Sequence, residues 1–289
     1  MKKTLIVFIV SLLLISGVFA ATENGKSKKV TLSKNAVEVS PGVYYLGERF
    51  DNGRFVKGYA FLLKDKKAAA KPGTECGNDI CEPGENAKKC PQDCSGAPED
   101  PIDPTSSCYT FLASGARWKS LEGYVVDPSN TAALDESFIV NNMAADISKW
   151  ESASGYNILG NGVAGEVDVG SIGYTANGVN EVMFGDIEGT GIIGMAIVWG
   201  YFSGPKPWRE LVEWDMVFND FEFDWSSAGE AGKMDFENIA THELGHACGL
   251  GDLYTTECNA QTMYGYSSYG DIEKRTLESG DITGISSLY

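Results

Sequence analysis

Apolar positions along the chain change their spacing several times, and each change predicts an element. An apolar run from Leu5 to Val18 follows Lys2 and Lys3 and ends at Val18-Phe19-Ala20. A charged start, an apolar stretch and a small-residue site predict an export signal over residues 1–20, with an uncleaved anchor as the alternative. Residues 21–36 are polar and lysine-rich, without periodicity, and are expected to be poorly ordered. Two apolar, aromatic runs, 43–50 and 55–63, then flank Asp51-Asn52-Gly53. Asn-Gly tolerates the positive φ of a tight hairpin turn, so these runs predict two paired strands. Two strands alone are marginal in water, so the hairpin needs a partner surface. Residues 21–72 are therefore read as a β-hairpin module or a pro-segment.

Apolar patterning stops over the next stretch. Cys76, Cys81, Cys90 and Cys94 lie in a segment, 73–94, too small for a hydrophobic core. In an exported chain they predict disulfides rather than a four-cysteine zinc site. Residues 95–107 hold three prolines and three acids and read as an extended linker. The remainder, 108–289, is long enough to bury a substantial core.

Within it, Leu121 to Val126 predicts a strand that ends at Asp127-Pro128. Ile139, Met143, Ile147 and Trp150 then recur at helical spacing, as a core-facing stripe would. Short apolar runs at 156–159, 181–184, 191–199 and 211–218, separated by glycine-rich segments, predict strands. A second helix is expected from an Asp235 N-cap, and a third over 277–289 with Thr276 as cap and Leu277, Ile282, Ile285 and Leu288 as packing residues. The order strand, helix, strands, helix is that of an α+β fold.

Charge narrows the partners. The net charge of -17 becomes -19 once residues 1–20 are removed, with 21 basic residues against 40 acidic. That balance argues against nucleic acid and anionic membranes. The acids of 215–224 suit either a Ca2+ site or a solvated loop.

The chemistry concentrates in His242-Glu243-Leu244-Gly245-His246-Ala247-Cys248-Gly249-Leu250-Gly251-Asp252. Residues four apart on a helix share a face, so His242 and His246 can hold one metal ion together. Glu243 beside them is placed to take a proton from a water that the metal activates. A catalytic zinc takes three protein ligands and keeps one position open. The helix should end at Gly249, which accepts the left-handed conformation, and Asp252 beyond the turn can return as third ligand. No histidine other than these two exists in the chain. Cys248 falls about 200° from His246 around the helix, away from the metal, and reads as a buried free thiol.

The pattern H-E-x-x-H-x-x-G-x-x-D, with Met263 in Gln261-Thr262-Met263-Tyr264, resembles the metzincin metallopeptidases and their methionine turn, and among them the matrixins. Matrixins carry a histidine where Asp252 stands; snapalysin-like peptidases are similar in using an aspartate. The resemblance implies a metzincin-like α+β domain: a twisted mixed sheet, a long helix, the zinc-site helix, the methionine turn and a C-terminal helix. It implies one catalytic Zn2+ and Met263 packed beneath it. Gly194-Met195-Ala196 resembles the family's edge strand, about 192–199, which implies pairing with an extended peptide substrate. Met195 and Val217 stand where the family's structural-zinc histidines would be, so that second zinc is not expected. Cys108 is expected to pair with Cys258, with Cys248–Cys258 as the alternative. The pro-region cysteine motif of matrixin precursors is absent before residue 108.

The expected activity is that of an exported zinc endopeptidase that acts on a protein or peptide substrate as a monomer. The competing expectation is a catalytically silent surface binding or adhesion module on the same fold.

Overall fold

The computed structural model describes residues 28–69 and 108–289, apart from 52, 171, 174 and 175. The expected signal, cysteine-rich segment and linker lie outside these residues. In chain order the strands are β1 Lys29–Val30, β2 Val37–Ser40, β3 Val43–Asp51, β4 Arg54–Asp65 and β5 Tyr124–Val126. Helix α1, Glu136–Ser154, precedes β6 Gly162–Ala164, β7 Asn180–Ile187, β8 Ile192–Tyr201 and β9 Glu210–Asn219. A short parallel pair, β10 Trp225–Ser226 and β11 Met234–Asp235, leads into α2 Phe236–Ala247; β12 Tyr266–Ser267 and α3 Ser279–Leu288 complete the chain.

One mixed sheet runs β2-β3-β4-β8-β9-β7-β5-β6. Strands β6, β5, β7 and β9 run parallel to one another, whereas β8 lies antiparallel to β9. On one face α1 and α2 cover a core that includes Trp150, Trp214, Phe218 and Phe236, with Ile139, Met143 and Ile147 of α1 all buried in it. The stripe predicted for that helix is therefore its core face. The opposite face buries Met183, Met195, Ile197 and Val217 beneath Val167, Ile172 and Ala176. Met195 and Val217 lie directly opposite each other in the β8–β9 register, both in this apolar cluster.

Several expectations change at their ends. Residues 156–159 form no strand; Ile158 and Leu159 are buried, and backbone N–H groups of both are bonded to Glu151 Oε1 instead of to a ladder. The last helix begins at Ser279, not Leu277, because Glu278 and Asp281 form a capping box there, and Ile282 stays 42% exposed. Lys29–Val30, expected to lack order, pairs with the end of β7.

The larger correction concerns β8. Its outer edge, expected to be open to a peptide, is covered by β4 from Lys57↔Gly200 to Lys64↔Ile192. The predicted hairpin forms, and its partner surface is this edge. Farther along, β4 also pairs in parallel with β12, Tyr266↔Lys64 and Ser267↔Asp65. The N-terminal strands are thus continuous with the sheet on which α2 packs.

Candidate metal centre and active site

Helix α2 starts where its sequence says it should. The Asp235 carboxylate accepts the orphan N–H of Asn238 at 3.0 Å, and Arg275 bonds the same carboxylate at 2.7 Å. The helix ends at Ala247, and Gly249 takes φ 104°, turning the chain back under the site. Gly251 and Asp252 follow this turn, and Leu253 pairs with Tyr264.

The turn brings together His242, His246 and Asp252, whose ligand-type atoms all lie within 4.8 Å of one another. Asp252 Oδ1 stands 3.3 Å from His242 Nε2 and 3.4 Å from His246 Nε2. The side chains are 0%, 0% and 1% exposed, and none of these three atoms has a hydrogen-bond partner. Buried polar atoms are almost always partnered, so a converging set of three orphans calls for a cation. The spacing fits zinc: ligand atoms bound at about 2.0–2.1 Å in a tetrahedron sit roughly 3.3–3.4 Å apart.

The other imidazole nitrogens fix the tautomers. His242 Nδ1 donates to Thr262 O at 2.7 Å, and His246 Nδ1 donates to Leu250 O at 3.0 Å. Carbonyls only accept, so both Nε2 atoms keep their lone pairs for a metal. Burial, opposed by Asp252, pushes the His242 pKa down to about 4 and keeps the ring neutral.

Glu243 is 0% exposed and lies against β8, where its Oε1 is 2.7 Å from the position a Cβ on Gly194 would take. A side chain at 194 would displace it. Burial first, then the charge of Asp252, raises its pKa well above that of an ordinary glutamate.

Met263 packs under the helix: a Cβ on Gly245 would come within 2.2 Å of its Sδ. Gly245 is therefore the gap between the two histidines into which the methionine rises. The turn itself is braced on both sides. Asp281 accepts from Thr262 N–H at 2.8 Å and Met263 N–H at 3.1 Å, while Lys274 Nζ donates to Thr262 O at 2.9 Å and to Tyr264 O. Burial strips Lys274 of water and brings its pKa down to about 7, despite Asp252 and Asp281 nearby. Neither Lys274 nor Asp281 was singled out by sequence, where each is one lysine or aspartate in a polar stretch.

The Cys108–Cys258 disulfide forms, and Cys248 is free and fully buried, its thiol pushed up by burial. Of the acids in 215–224, Asp220 accepts from Thr131 N–H and Glu222 from Gly191 N–H, so they serve loop structure; calcium finds no support there. Among the described residues the His-His-Asp set is the one group that could hold a metal.

Phe61 of β4 lies directly over the site. Its ring stacks on His246 with centroids 4.2 Å apart and planes at 17°. Together with the β4–β8 and β4–β12 pairings, this places a strand of the chain itself along the edge above the metal set.

A mixed sheet, a helix bearing two metal-facing histidines and a methionine turn beneath them define a metzincin-like α+β domain. Residues 203–289 match the family model of the matrixins, a span that includes α2, Asp252 and Met263. Over the part that holds the site the chain is similar to the matrixins. No curated protein matches the chain. Among solved structures, metalloproteinase-II from Bacteroides fragilis is similar at 10% identity and a TM-score of 0.33, covering 90% of this chain and 85% of that one.

Proposed function

We propose that this chain is an exported zinc-dependent endopeptidase that its own N-terminal strands keep closed. The observation that carries the reading is the trio of buried, unpartnered atoms on His242, His246 and Asp252, with Glu243 beside them. These three residues would hold the zinc. Zinc, when bound there, supplies Lewis acidity, which eases ionisation of water near neutral pH and polarises a scissile carbonyl. Glu243 acts as general base: it takes the proton of the attacking water and hands it to the leaving amine. Thr262 O and Leu250 O hold the two imidazoles in the tautomer that faces the metal, and Met263 supports the helix between them.

Glu243→Ala should leave zinc stoichiometry unchanged while peptide hydrolysis largely disappears. Undiminished cleavage by that variant would refute the role of Glu243, and zinc binding without hydrolysis in the opened wild type would favour the silent binding module.

The division 1–20, 21–72, 73–94, 95–107 and 108–289 stands as part of the proposal, with 21–72 read as a pro-segment. Its support is the position of β4: a peptide cannot pair with the β8 edge while β4 does. N-terminal sequencing of the active species is expected to find a start beyond Asp65. Full activity in a chain that begins at Ala21 would overturn the pro-segment reading and leave the catalytic one intact.

A further inference from the structure

The third ligand position holds a carboxylate, and a carboxylate has two oxygens. Only Oδ1 faces the two Nε2 atoms. Oδ2 takes a hydrogen bond from the Tyr254 hydroxyl at 3.1 Å. A buried anionic oxygen without a donor is destabilising, so this bond has a direct structural consequence. It also settles which oxygen is free for a metal.

The tyrosine is held for this contact by its surroundings. Its ring lies where a side chain at residue 265 would be, since a Cβ on Gly265 would meet Tyr254 Cε1 at 2.4 Å. The ring packs edge-on to Tyr266 at 5.4 Å. From the other side, a Cβ on Gly42 would come 2.8 Å from the hydroxyl, so the β2–β3 turn also rests on it. Two bare glycines, one in each half of the fold, leave the volume that Tyr254 fills. The bare backbone at 265, two residues after Met263, therefore accommodates a tyrosine that arrives from residue 254.

We propose that Tyr254 is a positioning residue for the metal site: its hydroxyl pins Asp252 Oδ2 so that Asp252 binds zinc through Oδ1 alone. The inference rests on the zinc reading of the site. The hydrogen bond fixes the rotation of the carboxylate and so holds Oδ1 toward the two Nε2 atoms. Partners that orient metal ligands typically change metal affinity by about 10–100-fold when removed.

The test uses the full-length protein and zinc itself, with affinity measured by chelator competition. Tyr254→Phe keeps the ring and removes the hydroxyl. It is expected to weaken zinc binding about 10–100-fold, with the metal-free protein still folded at the temperature of the titration. Gly265→Ala, which forces the ring away, is expected to weaken zinc binding in the same direction. In an Asp252→Ala background the tyrosine change should add nothing, because its partner is gone. Wild-type affinity in Tyr254→Phe, or an equal loss in the presence and absence of Asp252, would overturn the positioning role. Failure of the wild type to bind zinc would instead sink the metal reading on which the proposal stands.

Discussion

Phe61→Ala tests whether β4 closes the site. Phe61 is 3% exposed, belongs to the main core cluster and stacks on His246 at 4.2 Å. Truncating a buried phenylalanine costs about 3–5 kcal/mol. An undocked β4 leaves Phe61 in water, so the substitution costs that state little and the loss falls on the docked one. At ~1.4 kcal/mol per tenfold, even 3 kcal/mol multiplies the open fraction roughly 100-fold. While the open form is the minor one, hydrolysis by the full-length, zinc-loaded protein should rise by the same factor. The assay is cleavage of an internally quenched peptide, read beside hydrogen exchange at the β4 and α2 amides. Exchange should accelerate across β4 and stay slow in α2. Faster exchange in β4 with no gain in hydrolysis would refute the argument that this strand blocks the site, as would a wild type already as active as the variant.

Two further outcomes follow from the same contacts. The Cys108–Cys258 bridge spans a sequence separation of 150, for which chain entropy alone gives about 5 kcal/mol as an upper figure; Cys258→Ser should lower the urea midpoint accordingly, and an unchanged midpoint would show that the bridge constrains nothing. Lys274, whose pKa falls from 10.5 to about 7 in the fold, is neutral there above pH 7 while the unfolded chain still binds its proton. Stability of the metal-free protein should therefore rise with pH between about 7 and 10, measured by thermal melts, and Lys274→Met should abolish that rise.

Much of the site was legible because its spacing is local. His242 and His246 share a helix face by periodicity alone, and Asp235 and Gly249 mark the ends of that helix by their backbone preferences. The core stripe of α1 follows from the same periodicity. What surrounds the metal set was not legible in this way. Lys274 and Asp281 reach the methionine turn from 10 to 19 residues away, and the ring of Tyr254 is held beside Asp252 by the space left at Gly42 and Gly265. A weak signal for Tyr254 existed: in extended chain, residues two apart point the same way, so 252 and 254 can face one site. That β4 covers the edge of β8 is not legible in the sequence, because strand pairing is non-local. A hairpin signal says that two strands pair with each other, never what their outer edge meets.

The sequence by itself determined the helix that carries His242, Glu243 and His246, its ends and the common face of the two imidazoles, since each depends on residues within about one helical turn or one reversal of the chain. It also determined the α+β alternation and the need of the N-terminal hairpin for a partner. Only the tertiary structure decided that this partner is the edge beside the site, that Phe61 covers His246, and that Asp252 turns one oxygen to the imidazoles and the other to Tyr254. The first two depend on packing between segments far apart in the chain, and the third on the space that Gly42 and Gly265 leave around Tyr254; in each, the free energy of burial and of satisfied hydrogen bonds is set by which surfaces meet.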